Sequence, residues 1–599
     1  MNTTSKTYTL SPMVERSTFA TLVIIVIVYP LLTLRQGLDL TDMGLSLALY
    51  RWIFDDPQCI TFGLIWWGTD VIGGLWMKLF GSFGGVIAVK AGGVIITYVI
   101  AYFSFSTLTR YFPRLIALTA VVLCAIVLSP VTNLWLHYNT LSAMFYALIA
   151  YFLIKGLQEE RDRYLWIAGL LTTVNVAVRF PNMTGMALAF VIVYYGMRNR
   201  VAFRSVARSV GFYLLGVAIA GIVSLLVMYY LGHVGLVIKS VTDFFSMSTG
   251  GVTTEHTPSH QLITLFTKNM QSGFHGLKLL LSLSIIPVVL WLYQSTIIRL
   301  RVSPKVGYLL QLLLVIGCLY VFLSWVFPIL KAFSAGKFLP LITISLPLLM
   351  IFSFKRGAVH YLFVIATIVF FAFPIGSANS QAVAIHASWV GFALLIAYVL
   401  NHVIIDGKSS DRNKLFSLKN FSKLYILVTM GVIIYSATVA GNSLVYGESV
   451  ERDSVTTTID HPKLRGILTT QVKAKALTSV LTELDKLNQP GDRILVYNQI
   501  PIMHYLTDRK PYLNNPSPEL YRRLLPDFIE KIESEDYPLP VAVRGKAKDI
   551  WFLGEVGTRI TEYLQQNQYK LYWENQEYEI WLPPQMLPDS TTITQSFTE

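Results

Sequence analysis

Long apolar blocks separated by short polar breaks fill the chain up to about position 445, where the pattern changes abruptly. As helices, blocks of about 20 residues span the roughly 30 Å of a bilayer's hydrocarbon core. They fall at about 18–35, 84–107, 115–131, 140–156, 164–179, 183–197, 209–232, 277–297, 307–328, 338–354, 359–376, 387–404 and 424–445. This predicts about 13 transmembrane helices. Beyond 446 the apolar runs shorten and alternate with charge. KAKALTSVLTELDKL and SPELYRRLLPDFIEKIE have helical periodicity, DRILVYN and KDIWFLG read as strands, and YKLYWENQEYEIWLP reads as a hairpin. The expected fold is a polytopic α-helical membrane protein with a C-terminal α/β domain outside the cytoplasm. Its transmembrane part is residues 1–446 and its soluble part 447–599, ending in a disordered tail, DSTTITQSFTE.

Composition agrees. The 599 residues are 54% hydrophobic and 14% charged, where a soluble protein carries about 25% charged residues. The net charge of +13 does not indicate nucleic acid, because of where it sits. Arg110 and Arg114, then Lys155, Arg161 and Arg163, then Arg198, Arg200, Arg204 and Arg208 fall in every second loop, and the alternation continues along the chain. Basic loops stay in the cytoplasm, which places the N-terminus inside and, with an odd helix count, the C-terminal domain outside. The N-terminal stretch runs into the first span without a small-residue cleavage site, so an uncleaved first helix is expected. Cys59, Cys124 and Cys318 imply no disulfide framework. Short loops without retention or processing signals fit a bacterial inner membrane.

The candidate chemistry lies on the outer face. The first outer loop, 36–83, contains GLDLTDMGLSLALYRWIFDDPQ, in which Leu40, Met43, Leu47, Tyr50 and Phe54 recur at helical spacing. That spacing predicts an amphipathic helix on the membrane surface, and VIGGLWMKLFG a second. Asp39 suits its N-cap and Asp42 its first turn, where the helix dipole favours negative charge. Asp55 and Asp56, before Pro57, suit the turn that ends it. Composition and spacing leave three roles open for Asp39 and Asp42: a helix cap, a metal site and catalysis.

Cations on a cation-poor face need a reason. Arg179 in VRFPN and Lys331 and Lys337 in KAFSAGK are suited to holding a phosphate or to snorkelling toward lipid headgroups. Pro181 and Asn182 fix a turn beside Arg179, which favours a functional role there. WLHYNT places His137, Tyr138 and Asn139 where a helix re-enters the membrane, Asn139 serving as a cap or a contact. His256 and His260 are separated by Pro258 and share no helical face, and His386 follows GSANS. The chain contains no GxxxxGK[ST], GxGxxG or HExxH, so nucleotide-driven chemistry is not indicated.

With an acid just past the first helix, then an aromatic-rich helix, TLRQGLDLTDMGLSLALYRW resembles the first outer loop of the GT-C superfamily of integral membrane glycosyltransferases. VRFPN resembles it less specifically. The chain departs from the superfamily's common Asp-Glu pair, since Met43 follows Asp42. The resemblance implies transfer of a sugar from a polyprenyl-phosphate or polyprenyl-diphosphate carrier to a lipid, glycan or protein acceptor on the outer face, usually with inversion. Asp42 would then be the general base and Asp39 a helper or cap. By sidedness, Arg179 with Lys331 or Lys337 would hold the leaving phosphate, and His137, Tyr138, Asn139 and Asn182 would contact substrate. Some members use a divalent cation (Mg or Mn) and others do not; Asp39 and Asp42 alone make a poor Mg²⁺ site. Expected partners are the lipid-linked donor, the acceptor and membrane lipids. The alternatives are a transporter or flippase of lipid-linked sugars, which calls for repeated halves and midplane charges, and an O-antigen-type ligase or polymerase, whose large outer loop comes late.

Overall fold

In the computed structural model every one of the apolar blocks is helical. The structure describes all residues except 1–10, 133–134, 250–257, 301–302, 333–334, 355–356, 378–379, 405–417, 449, 488, 520–524, 536, 547–552 and 588–599; the expected disordered tail lies outside the described residues. The first helices are α1 (Pro12–Leu32), α2 (Asp42–Trp52), α3 (Trp67–Gly84), α4 (Val86–Leu108), α5 (Arg114–Leu128), α6 (Tyr138–Glu159) and α7 (Asp162–Val178). A 3-10 segment, Pro57–Trp66, joins α2 to α3, and another, Phe180–Leu188, leads into α8 (Ala189–Arg198). There follow α9 (Phe203–Tyr230), α10 (Val234–Thr249), α11 (Pro258–Leu300), α12 (Pro304–Val321), α13 (Phe327–Lys331), α14 (Ala335–Phe352), α15 (Val359–Ala372), α16 (Ser380–Ile404) and α17 (Leu418–Ser443). Among the described residues nine helical spans are long and apolar enough to cross a membrane, and α5, α14 and α15 add shorter apolar helices. The chain is an integral membrane protein.

Small residues let these helices close on each other. A methyl group on Gly169 of α7 would lie 1.9 Å from the Tyr213 carbonyl of α9, and one on Gly216 would lie 2.1 Å from that of Trp166. In a bilayer, where apolar burial does not drive helices together, such close approach supplies the packing.

The sequence pattern misplaces one segment. Residues 233–276, left between the predicted spans 209–232 and 277–297, contain α10 and the start of α11. Val234, Val237, Val241 and Phe244 recur at helical spacing, but the polar residues between them keep windowed hydropathy low. α10 packs on the 3-10 segment Pro57–Trp66, where Ser240 Oγ donates to the Phe62 carbonyl at 3.3 Å.

After α17 the chain forms β1 (Thr457–Thr458), β2 (Leu468–Thr469), α18 (Gln471–Leu487), β3 (Arg493–Tyr497), α19 (Ile502–Leu506), β4 (Lys510–Pro511), α20 (Leu525–Ser534), β5 (Val541–Gly545), α21 (Leu553–Gln566), β6 (Lys570–Glu574) and β7 (Tyr578–Leu582). The main sheet has the order β4-β3-β5-β7-β6. β3 is parallel to β4 and β5, and β7 is antiparallel to β5 and β6. The expected hairpin is β6–β7. Of the expected strand KDIWFLG, residues 548–552 lie outside the described residues, and Leu553 and Gly554 begin α21. VAVRG supplies β5, with Val541, Ala542 and Val543 buried.

This domain sits on the first loop, which changes the setting of α2. The expected surface helix is enclosed: Met43, Gly44, Ser46, Leu47, Ala48, Leu49, Tyr50 and Trp52 are all buried. On one side α2 meets α3, where Gly73 lies against the Tyr50 ring and Gly74 against Ile53; on the other Gly44 lies against the backbone of Ile502. Only glycine at 44 admits that contact, since a methyl group would meet Ile502 N at 2.7 Å. Gln36 and Gly37 extend the small sheet, with Gly37 N–H donating to the Leu468 carbonyl at 2.9 Å and Leu468 N–H to that of Arg35 at 2.8 Å.

Candidate active site

Asp39 and Asp42 have different jobs. The two carboxylate oxygens of buried Asp39 accept the backbone N–H groups of Thr41 at 3.0 Å and Met43 at 2.8 Å. Asp39 therefore caps α2 from two residues before the N-cap position itself, which is Thr41. Asp42, the first residue of the helix, holds one side-chain hydrogen bond, from the Tyr446 hydroxyl to Oδ2 at 3.3 Å. Solvent reaches its carboxylate, yet protein surrounds it on most sides. That crowding, and then the charge of Asp39, push its pKa up to about 6 against the pull of the Tyr446 hydrogen bond. Burial also raises Asp39, opposed by the Met43 and Thr41 amides and by Lys473.

Beside this pair lies a small recess, lined among others by Gln36, Asp39, Lys90, Thr132, Trp135, Tyr446 and Arg452. Two of its groups are cationic. Lys90 is buried near the start of α4 and donates to the Gln36 and Gly37 carbonyls at 2.6 and 3.1 Å. Arg452 donates to the Asn442 carbonyl through Nε at 3.0 Å and to the Gln36 side chain through Nη1. An ammonium has three donors and a guanidinium five, so each cation keeps donors beyond these bonds. Aromatic rings flank the recess. Trp135 and Tyr446 lie 5.4 Å apart, and Tyr138 stacks on Trp66 at 4.9 Å with planes 3° apart. Tyr138 interacts electrostatically with both Asp42 and Arg179.

The other sequence candidates divide. Arg179 is fully buried: Nη1 donates to the Phe373 carbonyl at 2.7 Å and to Asn182 Oδ1 at 3.3 Å, and Nη2 to the Ile375 carbonyl at 3.2 Å. Asn182 in turn donates to Ser142 Oγ at 2.6 Å and Asn175 Oδ1 at 2.9 Å. The pair ties the end of α7 to the segment after α15 and does not present a free guanidinium to the recess. His137, not Asn139, caps α6: its Nδ1 accepts the Asn139 N–H at 3.4 Å, and Thr140 Oγ1 accepts the His137 N–H at 3.2 Å. Lys331 is exposed on α13, which packs on α17, and does not line the recess. The side chains of Lys337 and His260, and all of His256, lie outside the described residues. Asp55 pairs with Arg51 and with Lys78 at 3.4 Å, and Asp56 with Lys510 at 2.8 Å, so this turn also anchors the C-terminal domain.

No protein-family model matches the chain, and no curated protein matches it in sequence. Among solved structures, the crystal structure of ArnT from Cupriavidus metallidurans in the apo state is similar at 11% identity and a TM-score of 0.40; the alignment covers 96% of this chain and 98% of that one. A score and an identity this low leave the site to be argued from its own residues.

Those residues do not assemble a donor set for a divalent cation. Both oxygens of Asp39 are occupied by backbone amides, leaving Asp42 as a single carboxylate. Among the described residues no group of three or more His, Cys, Asp or Glu comes together. All three cysteines are buried and free.

Sequence reasoning did not single out Lys90, Tyr446 or Arg452, which the fold brings to the recess. Lys90 had a signal: it interrupts the apolar run VIAVKAGGVI, and an ionisable residue inside a span is functional by default.

Proposed function

We propose that the chain is a GT-C-type membrane glycosyltransferase that moves a sugar from a polyprenyl-phosphate carrier to an acceptor hydroxyl on the outer face of the membrane, with inversion. The observation that carries this reading is the carboxylate of Asp42, hydrogen-bonded to Tyr446, which with Asp39 lines a recess holding two cations, buried Lys90 and half-buried Arg452. Asp42 takes the proton of the acceptor hydroxyl as that oxygen forms its bond to the anomeric carbon. The bond from that carbon to the carrier's phosphate oxygen breaks, and the phosphate leaves with the electron pair. Charge gathers on the phosphate at this moment, and donors already fixed by Gln36, Gly37 and Asn442 meet it without reorganising. Lys90 and Arg452 thus take the part that sidedness alone assigned to Arg179, Lys331 and Lys337. Trp135, Tyr138 and Tyr446 offer the aromatic faces on which a sugar ring packs. No step is routed through a metal. The outer-face assignment is supported by the basic alternate loops.

The test is release of free polyprenyl phosphate, and gain of label by an acceptor, when the purified protein is given radiolabelled polyprenyl-phosphate sugars with total membrane lipid and glycan extract. Asp42→Asn is expected to abolish both. Transport of the intact donor across vesicles without release would replace the reading with a flippase.

A further inference from the structure

An ion pair in the C-terminal domain, its carboxylate buried and its ammonium partly so, grips the backbone just before the two acids. Glu448, whose side chain is 1% exposed, lies 3.2 Å from Lys473. Glu448 Oε1 accepts the Leu38 N–H at 2.8 Å, and Lys473 Nζ donates to the Leu38 carbonyl at 2.5 Å. One residue therefore has both backbone groups taken by opposite members of the same pair. Each member is itself held: Thr469 Oγ1 donates to Glu448 at 2.7 Å, and Lys473 donates to the Gly447 carbonyl at 3.0 Å.

Leu38 is fully buried and precedes the residue whose carboxylate caps α2, the helix that begins at Asp42. The segment carrying Glu448 also carries Tyr446, the hydrogen-bond partner of Asp42. A charge pair is an expensive way to hold one peptide unit, since burying two ions costs several kcal/mol apiece unless they are well satisfied. Packing alone would hold Leu38. The pair does something more: it fixes the direction of the backbone and sets a positive charge near Asp39.

We infer that Glu448 and Lys473 are positioning residues that set the place and the charge environment of Asp42 from within the C-terminal domain. The inference rests on Asp42 being the base proposed above. Lys473 opposes the effect of burial on Asp39, and ionised Asp39 in turn raises Asp42. Removing this cation therefore has an inverted effect: Asp39 takes up a proton more readily and Asp42 titrates lower. Loosening the start of α2 admits water and acts in the same direction. The charged and titratable groups facing Asp42 are Asp39, Tyr446 and Tyr138, with Lys473 behind Asp39.

The experiment needs no substrate. A carbodiimide adds to a protonated carboxyl, and mass spectrometry of the purified full-length protein reads the adduct on Asp42 as a function of pH. In the wild type, labelling is expected to fade through about pH 6. In Lys473→Met the midpoint is expected to fall by about one pH unit, and in Glu448→Gln, which leaves the cation unpaired and Asp39 more firmly ionised, it is expected to rise. Amide exchange over residues 38–46 is expected to quicken about tenfold while exchange in the bundle stays put, and Lys473→Arg restores most of both. An unchanged midpoint and unchanged local exchange in the folded variants overturn the inference, as does faster exchange spread evenly through the protein. Should neither variant fold, the wild type decides: a Leu38 amide that exchanges as fast as exposed loop amides overturns it. Because labelling reads Asp42 directly, a failed transfer assay with intact labelling shifts refutes the proposed reaction and leaves the positioning role standing.

Discussion

Gly447 crosses Asp39 so closely that a methyl group on its Cα would lie 2.6 Å from the Asp39 Cβ. Its φ of +79° adds to the demand for glycine. Gly447→Ala is therefore expected to cost roughly 1–3 kcal/mol from overpacking. The damage should localise to residues 36–48, read as loss of amide protection there together with a lower Tm.

Asp42 acts as a base only when it is ionised. Its pKa, pushed up to about 6 by burial and by Asp39, predicts transfer that declines as pH falls through that value and is flat above it. Asp42→Asn should lower turnover by roughly 10²–10⁴-fold with Tm little changed. A variant that keeps full turnover would remove Asp42 from the chemistry.

Two neighbours should move that acid limb in opposite directions. Asp39→Asn removes the adjacent negative charge while keeping a capping oxygen, so the limb moves toward lower pH. Tyr446→Phe removes the hydrogen bond that draws the Asp42 pKa down, so the limb moves toward higher pH. Rate–pH profiles of the two variants check both signs.

Lys90→Met and Arg452→Met should each weaken donor binding. A charge-assisted hydrogen bond is worth about 1.5–3 kcal/mol, or roughly 10- to 100-fold in the KM for the lipid-linked donor. Arg179→Met should behave differently. It strands the Phe373 and Ile375 carbonyls inside the protein, so it should cost about 2–4 kcal/mol of stability with an unchanged donor KM in the folded fraction. A raised KM at normal Tm would return Arg179 to the phosphate.

The bundle was legible because a helix in lipid needs one thing from its sequence: a long apolar run. Asp42 was singled out because its surroundings in the chain, a polar break followed by a periodic helix, mark an N-terminus. Its cations were not. Lys90 was hidden by counting charges in loops, although its place in VIAVKAGGVI was a signal of its own. Arg452 and Tyr446 are more than 400 residues beyond Asp39 and Asp42, and no local pattern links positions so far apart. Arg179 shows a different limit. VRFPN does mark a fixed turn, but the motif does not say that three of the five Arg179 donors go to the Phe373 and Ile375 carbonyls and to Asn182.

The place of α2 between the bundle and the C-terminal domain bears on how the protein is made. Residues 36–46 leave the ribosome early, yet the bond from Leu38 to Glu448 spans 410 positions and that from Thr41 to Gln499 spans 458. Biosynthesis therefore threads most of the helices into the bilayer before α2 can find its partners. A chain stopped at about residue 445 would carry the membrane bundle without Tyr446, Glu448, Arg452 or Lys473. Under the proposed reading, a half-made copy in the membrane lacks the groups that surround Asp42 and is inert.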